Sequence, residues 1–158
     1  MHTVHRLTAH FRPTDPNWGG GTVKEHIICV DDEAIILLAL KQELKRRFKD
    51  RFIVETALDA AEANAIVEEL DARGVPTALV VSDWLMPGTR GDEFLIDLHA
   101  RKPGIKTLLV TGQADGESIE RARREAGLCG CIHKPWRTDE LAALIESCLM
   151  DRASESCG

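Results

Sequence analysis

From Glu25 onward the chain alternates short apolar runs with longer stretches of helical periodicity, five times over, and few folds accept that alternation. The apolar runs fall near His26 to Val30, Phe52 to Thr56, Ala78 to Ser82, Thr107 to Val110 and Cys129 to His133. They read as buried strands. The first helical stretch, about Glu33 to Phe48, carries Leu37, Leu40, Leu44 and Phe48 on one stripe; the second runs from about Asp59 to Arg73 and stops at Gly74. A third spans roughly Asp92 to Arg101. The fourth, about Gly116 to Ala126, turns Ile119, Ala122 and Ala126 inward and ends at Gly127, and the fifth runs from Thr138 to Met150. Strands alternating with helices are βαβ units, whose right-handed crossovers place helices on both faces of one parallel sheet. Periodicity alone does not order the strands.

With 158 residues and 44% hydrophobic content, the chain can bury one core and is too short for two ordinary domains. The expected division is an arm over residues 1–24, a domain over 25–150 and a tail over 151–158. The arm is turn and linker chemistry, Arg12-Pro13-Thr14-Asp15-Pro16-Asn17 followed by Gly19-Gly20-Gly21. His2, His5 and His10 are expected to be solvated, and Trp18 either docks or lies exposed. A formal net charge of −6 excludes the large basic field that direct nucleic-acid binding needs. Five cysteines without a CxxC pair indicate neither a disulfide framework nor a zinc ribbon, and point to a reducing compartment. Cys129 and Cys131, two residues apart on a strand, should share a face as apolar filling. No stretch is apolar enough to span a bilayer and the beginning lacks a secretory core, so a cytoplasmic location is expected, without membrane contact.

The chemistry sits where the runs stop. Asp31-Asp32 ends the first strand, Asp83 the third, Thr111-Gly112 the fourth and Lys134-Pro135 the fifth. Open parallel sheets bind ligands outside the carboxyl ends of their strands, so these groups should converge on one crevice. One acid at a helix start is usually a cap, but two adjacent acids exceed what a cap requires and repel each other. Three carboxylates, a hydroxyl and an ammonium suit a divalent cation together with a phosphoryl group. Gly112 would let the backbone approach an anion, and Pro135 would fix the loop that aims Lys134.

Four motifs in order make the chain resemble a receiver domain of two-component response regulators. They are Val30-Asp31-Asp32-Glu33; Ser82-Asp83-Trp84-Leu85-Met86-Pro87-Gly88 with Gly91-Asp92-Glu93-Phe94; Val110-Thr111-Gly112; and Lys134-Pro135-Trp136. The similarity covers about His26 to Met150. It implies an α/β, flavodoxin-like (βα)5 doubly wound parallel sheet with strand order 2-1-3-4-5. It also implies that Asp83 is the phosphoacceptor, served by a histidine kinase or phosphotransfer protein, in a signalling domain rather than an enzyme. Asp31, Asp32, Asp83 and the backbone carbonyl of Leu85 would hold Mg²⁺ (or Mn²⁺). Lys134 would pair with a phosphoryl oxygen, Thr111 would donate to another, and the amides of Trp84 and Gly112 would complete the cradle. Phosphorylation would then draw Thr111 inward and switch the surface of the fourth helix, fifth strand and fifth helix, which is also the implied homodimer face.

Some positions depart from the pattern. Where the family usually has an aromatic switch residue on the fifth strand, this chain has Cys131, whose thiol cannot sweep the same volume. Leu85 and Gln113 flank the expected approach of attacking water, apolar Leu85 opposing hydrolysis and Gln113 able to orient water. Trp84 and Trp136 read as packing residues, and Arg121, Arg123 and Arg124 among Glu117, Glu120 and Glu125 as a mixed solvated face. On the first helix Ile35, Ile36, Leu37, Leu38 and Leu40 wrap most of the circumference, leaving apolar surface for a partner, which the resemblance identifies as the kinase's phosphohistidine helices. The alternative reading is an interaction module of receiver shape that works without phosphate. A hydrolase turning over at Asp83 ranks lowest, because Leu85 stands where a second carboxylate would be needed.

Overall fold

The structure, a computed structural model, describes residues 23–112 and 116–157. Residues 1–22 of the arm, with Trp18 and the histidines, and Gln113 lie outside the described residues. Strands β1 (Glu25–Val30), β2 (Phe52–Ala57), β3 (Thr77–Asp83), β4 (Lys106–Thr111) and β5 (Leu128–His133) alternate with helices α1 (Ala34–Phe48), α2 (Ala60–Ala72), α3 (Gly91–Arg101), α4 (Gly116–Glu125) and α5 (Thr138–Cys157). Every strand pair is parallel and the order is β2-β1-β3-β4-β5, as the resemblance implies. The fifth helix continues beyond Met150 to Cys157.

Two apolar layers flank the sheet. On one face Leu37, Leu40, Leu44 and Phe48 of α1 meet Leu141, Ile145, Cys148 and Leu149 of α5 over Ile27, Cys29, Val81 and Val110. On the other, α2, α3 and α4 cover Ile28, Val30, Val80 and Leu109 with Val67, Leu95, Leu98 and Ala122. The expected α1 stripe is the buried one, while Ile119 on α4 is only partly buried. Helix α2 starts with a reciprocal cap: Asp59 accepts from the Glu62 amide at 2.8 Å, and Glu62 accepts from the Leu58 amide at 2.7 Å. The two strands at the middle of the sheet, β1 and β3, run buried to their last residues, which delivers Asp31 and Asp83 to the same rim.

Strand β5 corrects the reading of the cysteines. Thr107 pairs with Leu128 but Leu108 pairs with Gly130, so Cys129 is an extra residue in the ladder. A one-residue slip reverses the side-chain alternation. Cys129 therefore packs toward α5 and Cys131 toward the opposite layer, rather than both on one face. Cys129 is bonded to Cys148 of α5, their Cα atoms 5.4 Å apart, whereas spacing along the chain had indicated no disulfide. The close approach of strand and helix there depends on Gly130, where a Cβ would lie 2.6 Å from Leu144 Cδ1.

Candidate functional site

The strand ends enclose a cavity of about 540 Å³ lined by Asp32, Glu33, Asp83, Trp84, Leu85, Met86, Pro87, Thr111, Gly112 and Lys134. Asp31 is not part of that lining and is joined to it through Lys134. The Lys134 ammonium stands 3.0 Å from Asp31 Oδ2 and 3.2 Å from Asp83 Oδ1, so one cation bridges two carboxylates. Asp31 is 1% exposed and Asp83 7%, while Asp32 is open to solvent. Asp31 also accepts from the Glu33 amide at 2.8 Å. The N-cap of α1 is Glu33, which makes no side-chain capping bond. Capping thus engages only one oxygen of the acidic pair.

Burial raises the Asp83 carboxyl above its ordinary value, and the Asp31 charge raises it further against the opposing pull of Lys134. Burial alone would lower Lys134, but its hydrogen bonds and charge contacts with Asp31 and Asp83 outweigh that and hold its ammonium above the ordinary range. The acids remain in excess. Asp31, Asp32 and Asp83 each offer one oxygen, and these lie within 4.8 Å of one another. An all-oxygen set carrying surplus negative charge fits a hard divalent cation.

Several local features hold the rim in place. The Trp84 amide donates to the Val110 carbonyl at 2.8 Å, and the Lys134 amide donates to the Thr111 carbonyl at 2.8 Å, so the β3, β4 and β5 ends are tied together. Ser82 Oγ donates to the Asp83 carbonyl at 2.9 Å. The Lys134-Pro135 bond is cis. Thr111 is fully buried at its strand end. A Cβ at Gly112 would meet nothing within 4 Å, so the protein's own packing does not demand glycine there and the space belongs to the cavity. Trp84 and Trp136 each pack against a core layer, as expected of packing residues, with the Arg90 guanidinium 5.6 Å from the Trp84 ring centre.

Of the residues singled out in the sequence, Asp32, Asp83, Trp84, Leu85, Thr111, Gly112 and Lys134 share the cavity wall, and Asp31 lies against it. Cys131 does not line it; it is half-buried on the face shared with α4. On α4, Arg121 pairs with Glu125 and Arg123 with Glu120, the mixed solvated face expected there.

One positioning residue was not recognised for its role. A Cβ on Gly91 would fall 1.9 Å from the Asp83 carbonyl oxygen and 2.9 Å from Trp84 Cα, and the Gly91 amide donates to the Trp84 carbonyl at 2.7 Å. The start of α3 is thus pressed against the backbone of Asp83. A glycine as the first residue of a helix, where most residues form helix better, was the available signal.

Comparisons with known proteins agree on one family. The profile described as "Response regulator receiver domain" matches residues 27–146. The chain is 33% identical over 115 residues to the hydrogenase transcriptional regulatory protein HoxA of Cupriavidus necator, which covers 73% of this chain and 22% of that protein. It is 31% identical over 128 residues to the transcriptional regulatory protein FixJ of Bradyrhizobium diazoefficiens, covering 81% of this chain and 58% of that one. The chain therefore spans only part of these relatives. Among solved structures, a CheY-like response regulator receiver domain protein from Methanospirillum hungatei superposes with a TM-score of 0.72 at 31% identity, covering 84% of this chain and 98% of the other.

Proposed function

Because the chain belongs to the response-regulator receiver family, we propose that Asp83 accepts a phosphoryl group from a phosphohistidine of a histidine kinase or phosphotransfer protein. The supporting observation is the Lys134 ammonium bridging Asp31 and Asp83 within a cluster of three carboxylates. An Asp83 carboxylate oxygen attacks phosphorus, the phosphorus–nitrogen bond of the donor breaks, and the departing imidazole takes up a proton. Lys134 meets a phosphoryl oxygen as a point charge and the Thr111 hydroxyl donates to another, with the Gly112 amide completing the cradle, whereas the Trp84 amide is already engaged by the Val110 carbonyl. Asp31, Asp32, Asp83 and the Leu85 carbonyl would hold Mg²⁺ or Mn²⁺, which when bound neutralises the carboxylates and withdraws charge from the transferring group. Positioning and neutralisation carry the remainder, and the protein itself does little covalent chemistry.

Partner docking is supported by apolar surface beside the cavity. Ile35 and Leu38 on α1 are 74% and 56% exposed, and Ile36, Pro135 and Trp136 line an adjacent apolar groove next to Lys134. A helical surface carrying the phosphohistidine fits there. Output runs through α4, β5 and α5, which also form the proposed homodimer face. Thr111 moves toward the new phosphate oxygens, and Cys131, on the α4 side of β5, leaves that motion without an aromatic partner. Among the described residues no helix is long and apolar enough to cross a membrane. The proposed setting is the cytoplasm, with no direct nucleic-acid contact.

Intact mass after incubation with acetyl phosphate and Mg²⁺ tests the assignment. A gain of one phosphoryl group in the wild type, absent in Asp83→Asn, is expected. No gain would favour the phosphate-independent interaction module, the reading supported by Cys131.

A further inference from the structure

Phosphoryl chemistry leaves one reactive pair unused. The extra residue in β5 aims Cys129 at α5, where Cys148 faces back, and the two sulfurs are bonded. Cys148 is 1% exposed within the core layer shared by α1 and α5, and Cys129 is partly exposed. The Cys129 sulfur also lies 3.1 Å from the Thr107 carbonyl oxygen. A disulfide sulfur has no proton to donate, but the reduced thiol would find that acceptor in place. Cys148, reduced, is a small apolar group among apolar neighbours. Both redox states are therefore accommodated without an orphaned polar group.

We propose that Cys129 and Cys148 form a reversible thiol–disulfide site that exchanges with low-molecular-weight thiols and disulfides of the glutathione class, the closed bond clamping α5 onto β5. Cys129, partly exposed, reacts first: its thiolate, having lost a proton to solvent, attacks one sulfur of the small disulfide and expels one thiolate. Cys148 then loses its proton and attacks the Cys129 sulfur, expelling the second. Two protein thiols are oxidised, one small disulfide is reduced to two thiols, and reduction runs the same steps backward. Among the cysteines whose side chains the structure describes, competing pairings are closed off by geometry. Cys131 is on the opposite face of β5, and Cys29 is fully buried, its thiol pushed up to about 12.

The clamp sits on the strand that ends at Lys134 and beside the helix of the proposed output face. That link to signalling rests on the reading of Asp83 as phosphoacceptor; the exchange chemistry does not. The full-length chain, held natively in buffers of varied glutathione thiol-to-disulfide ratio, is acid-quenched, denatured, alkylated and weighed. Three alkylated cysteines are expected at the oxidising end and five at the reducing end. The transition should follow the square of the thiol concentration over the disulfide concentration. It should survive Cys131→Ser, vanish in Cys129→Ser, and map by peptide mass to Cys129 and Cys148. Amide hydrogen exchange in β5 and α5 should be severalfold faster in the open form, and Cys129→Ser, whose hydroxyl can donate to Thr107, should match that form in every buffer. A bond that stays closed or open at all ratios, or equal exchange in both forms, overturns the proposal. Because the titration counts thiols, it decides the pair even in a chain that never takes up a phosphoryl group.

Discussion

The rim where β1, β3, β4 and β5 end and the seam where β5 meets α5 are built by different means. At the rim, four strands each deliver a polar residue from carboxyl-terminal halves that pair in unbroken register, the shifts in β1–β3 and β4–β5 lying nearer the other end, and Lys134 draws two carboxylates within 3.2 Å of one ammonium. At the seam, register breaks: one extra residue in β5 turns Cys129 toward Cys148 and brings Gly130 under Leu144. Regular pairing makes a site whose parts are set by strand order. Irregular pairing makes a contact that depends on one inserted residue.

The same substitution at each place should separate the two most strongly. Gly91→Ala sets a methyl group 1.9 Å from the Asp83 carbonyl oxygen, and backbone cannot step aside. A loss of about 3 kcal/mol in denaturant unfolding is expected, near the upper end for overpacking, together with loss of phosphoryl uptake. Gly130→Ala collides with the tip of Leu144, a side chain that can change rotamer. About 1 kcal/mol is expected there, with phosphoryl uptake retained. Equal losses at both positions would break the distinction between a rigid rim and a yielding seam.

A smaller effect concerns the charge of the rim. Burial and then Asp31 raise the Asp83 carboxyl, so the folded chain keeps that proton to higher pH than the unfolded chain. The stability contributed by the proton is complete below the ordinary value of 3.8 and is lost as pH rises through the raised one. In metal-free buffer Asp83→Asn should therefore unfold at a higher temperature than the wild type at neutral pH, with the gap closing as pH falls toward 3.8. Thermal unfolding across pH measures it, and a gap that widens in acid would contradict the assignment of surplus negative charge.

The smallest effect should come from Leu85, which is 57% exposed on the cavity wall and presents no group to hold water. Leu85→Asn is expected to shorten the lifetime of the phosphorylated form by roughly threefold, under 1 kcal/mol of barrier. Decay followed by intact mass reads it directly.

Apolar runs, helix stripes and the polar residues that end the strands were legible because each is written in local order. Hydrophobic period determines which segments become strands and helices, and chain direction in a parallel sheet puts Asp31, Asp83, Thr111 and Lys134 at one end. Strand order came from resemblance, since crossovers of similar length permit several orders. Only the tertiary structure decided that Cys129 and Cys131 face opposite layers, that Cys129 reaches Cys148, and that Gly91 presses on the Asp83 backbone. A bulge is a relation between two strands, and a close approach is a relation between segments distant in the chain. Period and spacing measure neither.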